Sequence, residues 1–188
     1  MINVLAAFGL AAATGLNAYL PLLIVALLSR FTDLITLAPP WNTLENAWVI
    51  GLLAVLLVVE TVVDKIPVVD TINDVIQTVI RPAAGAILFA ASGNVISHIS
   101  PVLAMICGLL MAFGVHAGKA AVRPVVTAST GGIGNPVISA TEDVVSGTTT
   151  LVAIILPAVA AVIVLVMIAF FIRFILRRIG RMRRASPS

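Results

Sequence analysis

The chain has 188 residues, of which 61% are hydrophobic and only 10% charged, too apolar a composition for a soluble domain of this size to cover. Its net charge of +3 hides an asymmetry. Six of the eleven basic residues (Arg173, Arg177, Arg178, Arg181, Arg183 and Arg184) lie in the last sixteen positions, leaving five basic against eight acidic groups in residues 1–172. A short basic tail on a lipid-soluble chain excludes a nucleic-acid partner and reads as a cytoplasmic topology signal that contacts membrane lipid. The lone Cys107 excludes an intrachain disulfide. The fold class predicted is all-α: a polytopic membrane protein of about five transmembrane helices, with amphipathic or re-entrant segments, since several runs approach the ~20 residues that a bilayer core requires.

The first predicted span covers residues 3–28. No basic n-region or cleavage site leads into a soluble domain, so it is expected to be a retained helix rather than a removed signal peptide. It contains Thr14-Gly15-Leu16-Asn17-Ala18-Tyr19-Leu20-Pro21, in which Gly15 and Pro21 weaken a helix. Thr14, Asn17 and Pro21 share one face, which suits either a kink packed with small residues or the lining of a polar cavity. Residues 30–47 follow as a loop holding Pro39-Pro40 and Trp41, with Trp48 just after it; tryptophans suit a membrane interface. The second span is predicted over residues 47–63, with Glu60 and Asp64 on one helical face and Lys65, Asp70 and Asp74 close behind. Residues 68–80 are too short and polar to cross lipid. Their apolar positions recur at helical spacing, which predicts an amphipathic helix at the surface or re-entering it.

Arg81-Pro82 opens a third span over residues 83–99, rich in Ala and Gly. Residues 97–101 read as a tight turn, and the fourth span covers residues 102–122, with His116 and Lys119 near its end. Residues 123–150 are predicted to be a loop, at a surface or dipping into a protein-lined cavity. There Gly131, Gly132 and Gly134, followed by Asn135-Pro136, expose backbone amides that can hold an anion. A last span covers residues 151–172.

Two internal echoes organise these segments. Gly51-Leu-Leu and Gly108-Leu-Leu each reach a proline sixteen residues later, at Pro67 and Pro124, and the stretch from Pro67 to Asp74 aligns with that from Pro136 to Asp143. They divide the chain into two related halves: residues 1–80, two spans plus an amphipathic segment, and residues 81–148, two spans plus a glycine-rich re-entrant loop. A terminal span and basic tail follow over residues 149–188. Internal repeats with interrupted segments point to a transport site. With the tail cytoplasmic, five spans put the amino terminus, residues 64–81 and residues 123–150 outside; a re-entrant segment that crossed would make six.

A charge at mid-bilayer costs at least about 2.5–3.5 kcal/mol, so Glu60, His116 and Lys119 are expected to face the bundle interior and find partners. Glu60 and Asp64 on one helix oppose His116, Lys119 and Arg123 on another, and Asn17 supplies an amide at the helix break. His116 beside carboxylates is a candidate proton relay. Thr14, Lys65, Asp70, Asp74, Arg81, Asn135 and Asp143 are secondary candidates. Three function classes fit. Charges that bind an ion or a small anionic solute make a transporter or channel-like protein, a homo-oligomer because five short helices enclose little interior. Charges that only neutralise each other make a structural subunit of a membrane complex. Asp64, Asp70 and Asp74 loosely resemble the acidic clusters that hold magnesium on a lipid diphosphate, but only Glu142 and Asp143 offer a second cluster. Nucleophile-elbow, zinc-site and Walker patterns are missing from the sequence. The transporter is the preferred reading, without cofactor or resident metal, and an enzyme the least favoured.

Thr14-Gly15-Leu16-Asn17-Ala18-Tyr19-Leu20-Pro21, Glu60-x-x-x-Asp64-Lys65-x-Pro67-x-x-Asp70, Arg81-Pro82-x-x-Gly85 and His116-x-x-Lys119-x-x-x-Arg123-Pro124 together resemble a family of small bacterial integral membrane proteins catalogued as a domain of unknown function. The resemblance covers residues 5–170. It implies a protein of the bacterial inner membrane and brings no activity with it.

Overall fold

The computed structural model describes residues 4–64, 66, 69–92 and 100–184; the side chains of Asp70, Thr71 and residues 178–184 lie outside that description. Among the described residues the regular structure is entirely helical: α1 (Val4–Leu16), α2 (Tyr19–Phe31), a short 3-10 helix (Trp41–Glu45), α3 (Ala47–Val63), α4 (Val69–Ala91), α5 (Pro101–Thr130), α6 (Asn135–Ile155) and α7 (Pro157–Arg184). Parts of α4 to α7 are long and apolar enough to cross a membrane. The broad, exposed apolar faces of α3, α5 and α7, such as Val55, Val58, Leu110, Leu165 and Val166, suit lipid contact. The basic residues at 178, 181, 183 and 184 and the turn expected at residues 97–99 fall outside what is described.

The first correction to the sequence reading concerns residues 3–28, which do not form one kinked span. α1 and α2 have 13 residues each, about 20 Å at 1.5 Å per residue, too short to cross a core of about 30 Å. They form a hairpin. Down α1, Phe8 packs edge-on against Phe89 and Gly15 lies against Ala112 and Val115, so α1 runs antiparallel to α4 and parallel to α5. Beyond the break, Asn17 meets Asp143 and Leu20 meets Gly147, so α2 climbs back along α6. At its far end Ser29 donates to Glu45 at 2.5 Å, beside the start of α3. Both ends of the hairpin therefore lie at one end of the bundle, and its tip is buried near the middle.

The cause is local. Asn17 Oδ1 accepts from the backbone N–H of Tyr19 and Leu20, at 3.1 and 2.9 Å, and so caps α2. Pro21 then occupies the first turn of α2, where the amide it lacks has no helical partner anyway. Pro21 starts a helix here rather than kinking one.

From α3 onward the chain runs the length of the bundle five times, ending with α7 at the end opposite the hairpin's mouth. Two further expectations change. Residues 69–80 are no separate amphipathic helix; they are the first half of α4, which continues through Pro82 to Ala91. Residues 123–150 are no loop. α5 runs on through Pro124 to Thr130, a turn follows, and α6 begins at Asn135 with Pro136 in its first turn. Gly131 and Gly132 have φ of 61° and 87°, a conformation that glycine adopts readily, and they end α5. Their amides, with those of Ile133 and Gly134, donate to Thr127 and Thr130. No donors are left for the anion nest expected there. The last span begins at Pro157, not near residue 151, because Leu156 breaks the chain between α6 and α7. α6 crosses, and α1 with α2 returns, so the ends of the helices change sides: the end of α3, the start of α4 and residues 131–134 share an end with the tail, and residues 32–46 lie at the other.

α1 is the most enclosed element, with Ala6, Ala7, Ala11, Ala12 and Ala13 fully buried. Small residues let backbones approach closely, the usual way membrane helices gain packing contact. Gly85 on α4 faces Gly108 and Ala112 on α5, and Gly9 on α1 faces Ala153 on α6 and Ala160 on α7. This small-residue packing fills the half of the bundle around the hairpin. The polar residues collect in the other half.

A buried ion network at the hairpin tip

Glu60 lies in the last turn of α3 and Asp64 at its C-cap. Across from them, Arg81 of α4 is fully buried. Arg81 Nη2 donates to Glu60 Oε1 at 2.9 Å and lies 3.7 Å from Asp64 Oδ2, while Nη1 is 3.9 Å from Asp74 Oδ1. Such charge-assisted bonds replace the hydration that burial removes. The remaining charges come from α5, where His116, Lys119 and Arg123 line one face at helical spacing. Arg123 Nη1 donates to Asp74 Oδ2 at 2.6 Å and Nη2 to Ser139 Oγ at 3.2 Å. Ser139 in turn donates to Asp64 Oδ2 at 3.3 Å, and Asn73 Nδ2 to Asp64 Oδ1 at 2.8 Å.

Lys119 stands where these branches meet. Its ammonium lies 2.7 Å from Glu142 Oε2, 3.8 Å from Asp64 Oδ2 and 3.9 Å from Asp74 Oδ1, and donates to the carbonyl of Leu16 at 3.4 Å. Leu16 ends α1, so the cation meets the negative end of a helix dipole. The positive end is matched as well. Asn17, capping α2, gives its Nδ2 to Asp143 Oδ1 at 2.8 Å. In the last turn of α1, the Ala13 carbonyl accepts both from the Asn17 N–H at 3.2 Å and from Ser146 Oγ at 2.9 Å.

His116 is fixed by partners of single character. Arg81 Nη1 can only donate, so Nδ1 accepts from it at 3.2 Å. The Thr78 hydroxyl donates to the Asp74 carbonyl at 2.8 Å, which leaves its oxygen to accept from Nε2–H of His116 at 3.0 Å. The ring thus carries its proton on Nε2, and neither nitrogen bonds a carboxylate directly.

Of the residues singled out in the sequence, Glu60, Asp64, Asp74, Arg81, His116, Lys119 and Arg123 come together, and Asn17 and Asp143 join at the hairpin tip. Thr14 does not take part: its hydroxyl donates to the Ala11 carbonyl at 2.7 Å, and it packs beside Gly85. Asn135 is buried at the α5–α6 turn, where its Oδ1 accepts from Thr127 at 3.0 Å. Lys65 and the Asp70 side chain lie outside the described residues. The sequence reading missed Ser139, Thr78 and Asn73 and ranked Glu142 as a mere neighbour. Ser139, Glu142, Asp143 and Ser146 recur at three- and four-residue spacing, a helical face that shows only once residues 135–155 are read as a helix.

Two cavities border the network in the half near the tail. One, of about 520 Å³, lies between α4 and α5 and is lined by Asp74, Thr78, His116, Arg123 and Thr127. The other, of about 260 Å³, lies between α5, α6 and α7, with Lys119, Arg123 and Glu142 at its edge and Met167, Phe170 and Phe171 in its wall. Among the described residues no three His, Cys, Asp or Glu side chains are grouped so as to hold a metal ion; the Asp70 side chain, part of the acidic cluster noted in the sequence, lies outside them. What the arrangement does offer is a set of ion pairs around helix ends.

No curated protein and no solved structure matches the chain. A protein family does, over residues 4–177: the chain belongs to the family described as Domain of unknown function (DUF4126).

Proposed function

We propose that the protein is a small membrane transporter that moves an ion or small polar solute through the charged centre between α3, α4, α5 and α6. One observation carries this reading. The helix ends of a half-membrane hairpin meet a buried network of charges bordered by cavities, the arrangement by which transporters with interrupted helices hold their ions. Ion pairs that served only to join helices would need no dipole ends among them. The cavities lie in the tail-side half, and small-residue packing fills the other, which supports a state open toward the tail. In this reading the tail is cytoplasmic, the membrane is the bacterial inner membrane, and copies of the chain associate. α3 runs the same way as α5, and α4 the same way as α6, which supports a parallel rather than an inverted repeat for the two echoes.

The test is flux into sealed vesicles. Purified protein, reconstituted with a trapped dye that reports the ion under test, is exposed in turn to gradients of protons, sodium, potassium and chloride. At least one gradient should dissipate faster than in empty vesicles. Glu60→Gln should slow it about tenfold, the effect of about 1.4 kcal/mol at the limiting barrier. Wild-type rates equal to those of empty vesicles under all four gradients would sink the reading.

A further inference from the structure

The oxygens around Lys119 come from four separate places: Glu142 on α6, Asp64 at the end of α3, Asp74 on α4 and the Leu16 carbonyl at the end of α1. None of them needs a lysine in particular. Together they form a pocket for one positive charge, and Lys119 enters it from α5 with its side chain 1% exposed. The pocket also holds spare acceptor capacity. Asp74 Oδ1 and Glu142 Oε2 both face the ammonium, at 3.9 and 2.7 Å, yet neither completes a hydrogen bond.

Charge points the same way. Among the described residues the network counts five carboxylates, Glu60, Asp64, Asp74, Glu142 and Asp143, against the three cations Arg81, Lys119 and Arg123. Taking Lys119 away leaves five against two. In a medium this poor in water, an excess of that size draws in a cation or protons.

The spacing selects the kind of cation. One oxygen lies at 2.7 Å, the distance of a charge-assisted contact with an ammonium, one carbonyl at 3.4 Å, and two carboxylate oxygens at 3.8 and 3.9 Å, near enough to balance its charge without bonding it directly. A hard metal ion such as calcium draws its oxygens in to about 2.3–2.6 Å, and no such grouping is present among the described residues.

We infer that α1, α3, α4 and α6 build a binding site for an ammonium-type monovalent cation, and that the Lys119 ammonium occupies it as a tethered cation. This goes beyond the transport reading and stands independently of it. Binding is measured at equilibrium, so a protein that bound but moved nothing would overturn transport and leave this site intact.

The experiment uses the full chain carrying Lys119→Ala, purified in detergent. Its melting temperature is measured in choline chloride and again after replacement by ammonium, methylammonium or sodium chloride at constant ionic strength. Ammonium and methylammonium should raise it by about 3–5 °C at ten times their dissociation constant, and sodium by less than about 1 °C. Wild-type protein, its site filled, should respond to none of them, and adding Glu142→Gln to the variant should abolish the rise. No rise with ammonium, an equal rise with sodium, or an equal rise in wild type would each overturn the site. If Lys119→Ala aggregates in choline, ammonium in the growth and purification buffers should recover monodisperse protein; recovery in none of these salts would overturn it equally.

Discussion

At Arg81 one guanidinium serves Glu60, His116 and, at longer range, Asp64 and Asp74, with no part of its side chain exposed. Removing one member of such a set strands the others, and a buried carboxylate without its cation costs about 3–5 kcal/mol. Arg81→Met is therefore expected to destabilise the protein by about that amount, measured by unfolding in mixed micelles. Glu60→Gln should cost less, because an amide oxygen still accepts from Nη2 and no bare charge is buried. If Arg81→Met unfolds at the wild-type midpoint, the Glu60–Arg81 bond is not holding α3 to α4. That buried charge must find its opposite was legible in the sequence, but the partners were not. Glu60 pairs with Arg81 of α4 rather than with α5, and only Asp64, 3.8 Å from Lys119, meets the α5 cations as expected. Nor was the rank of Arg81 legible. Its neighbour Pro82 marks it as the start of a span, at an interface, whereas α4 begins twelve residues earlier and carries Arg81 to the middle of the bundle.

Elements are held at their spacing by missing side chains. A Cβ on Gly85 would lie 2.5 Å from that of Ala112, 2.7 Å from the Gly108 carbonyl oxygen and 2.9 Å from Thr14 Oγ1. Two of these three contacts are with α5, so Gly85→Ala must push α4 away from it. Overpacking of this kind costs about 1–3 kcal/mol, and with Arg81 one turn away the shift should also lengthen its bond to His116. Gly51→Ala, where nothing lies within 4 Å, is the matched control. It should leave the unfolding midpoint unchanged or slightly raised, since Ala favours a helix over Gly by about 1 kcal/mol; equal effects at both positions would mean that close packing of α4 on α5 is not limiting. Element bounds show where sequence reading works. α3 occupies residues 47–63 as periodicity predicts, because one side of it meets lipid and hydropathy reports that. α6 escapes the same reading because Ser139, Ser146, Thr149 and Thr150 are buried. A helix whose polar face turns inward toward charges looks like a loop to any measure that takes polarity for exposure. The hairpin is hidden for a related reason: Pro21 signals a break, but a break alone does not tell a kink from a reversal.

For the whole molecule, the reversal at Asn17 decides which loops share a side. Residues 32–46 and the basic tail are at opposite ends, and the turn at residues 131–134 is at the tail's end, the reverse of what a crossing first span predicts. Cysteines placed at Thr43 and Ile133, with Cys107 replaced by Ser, should react with an impermeant thiol reagent from opposite sides of sealed vesicles, Ile133→Cys from the side that digests the tail. Thr43→Cys labelled on the tail side would mean that α1 and α2 cross after all. This sidedness brings Arg123, which five crossing spans put opposite the tail together with Arg81, into the tail's half, and it moves Arg30, beside Glu45 at the hairpin's mouth, away from the tail. There is a consequence for how the protein is made. α1 leaves the ribosome first among the described helices, yet the groups that cover its broken end, Lys119, Asp143 and Ser146, follow more than a hundred residues later. A nascent chain that stops after α3 holds two half-length helices with polar tips and nothing to receive them. The innermost helix is thus translated first and seated last, and the hairpin must wait at the bilayer surface until the chain that will enclose it has been inserted.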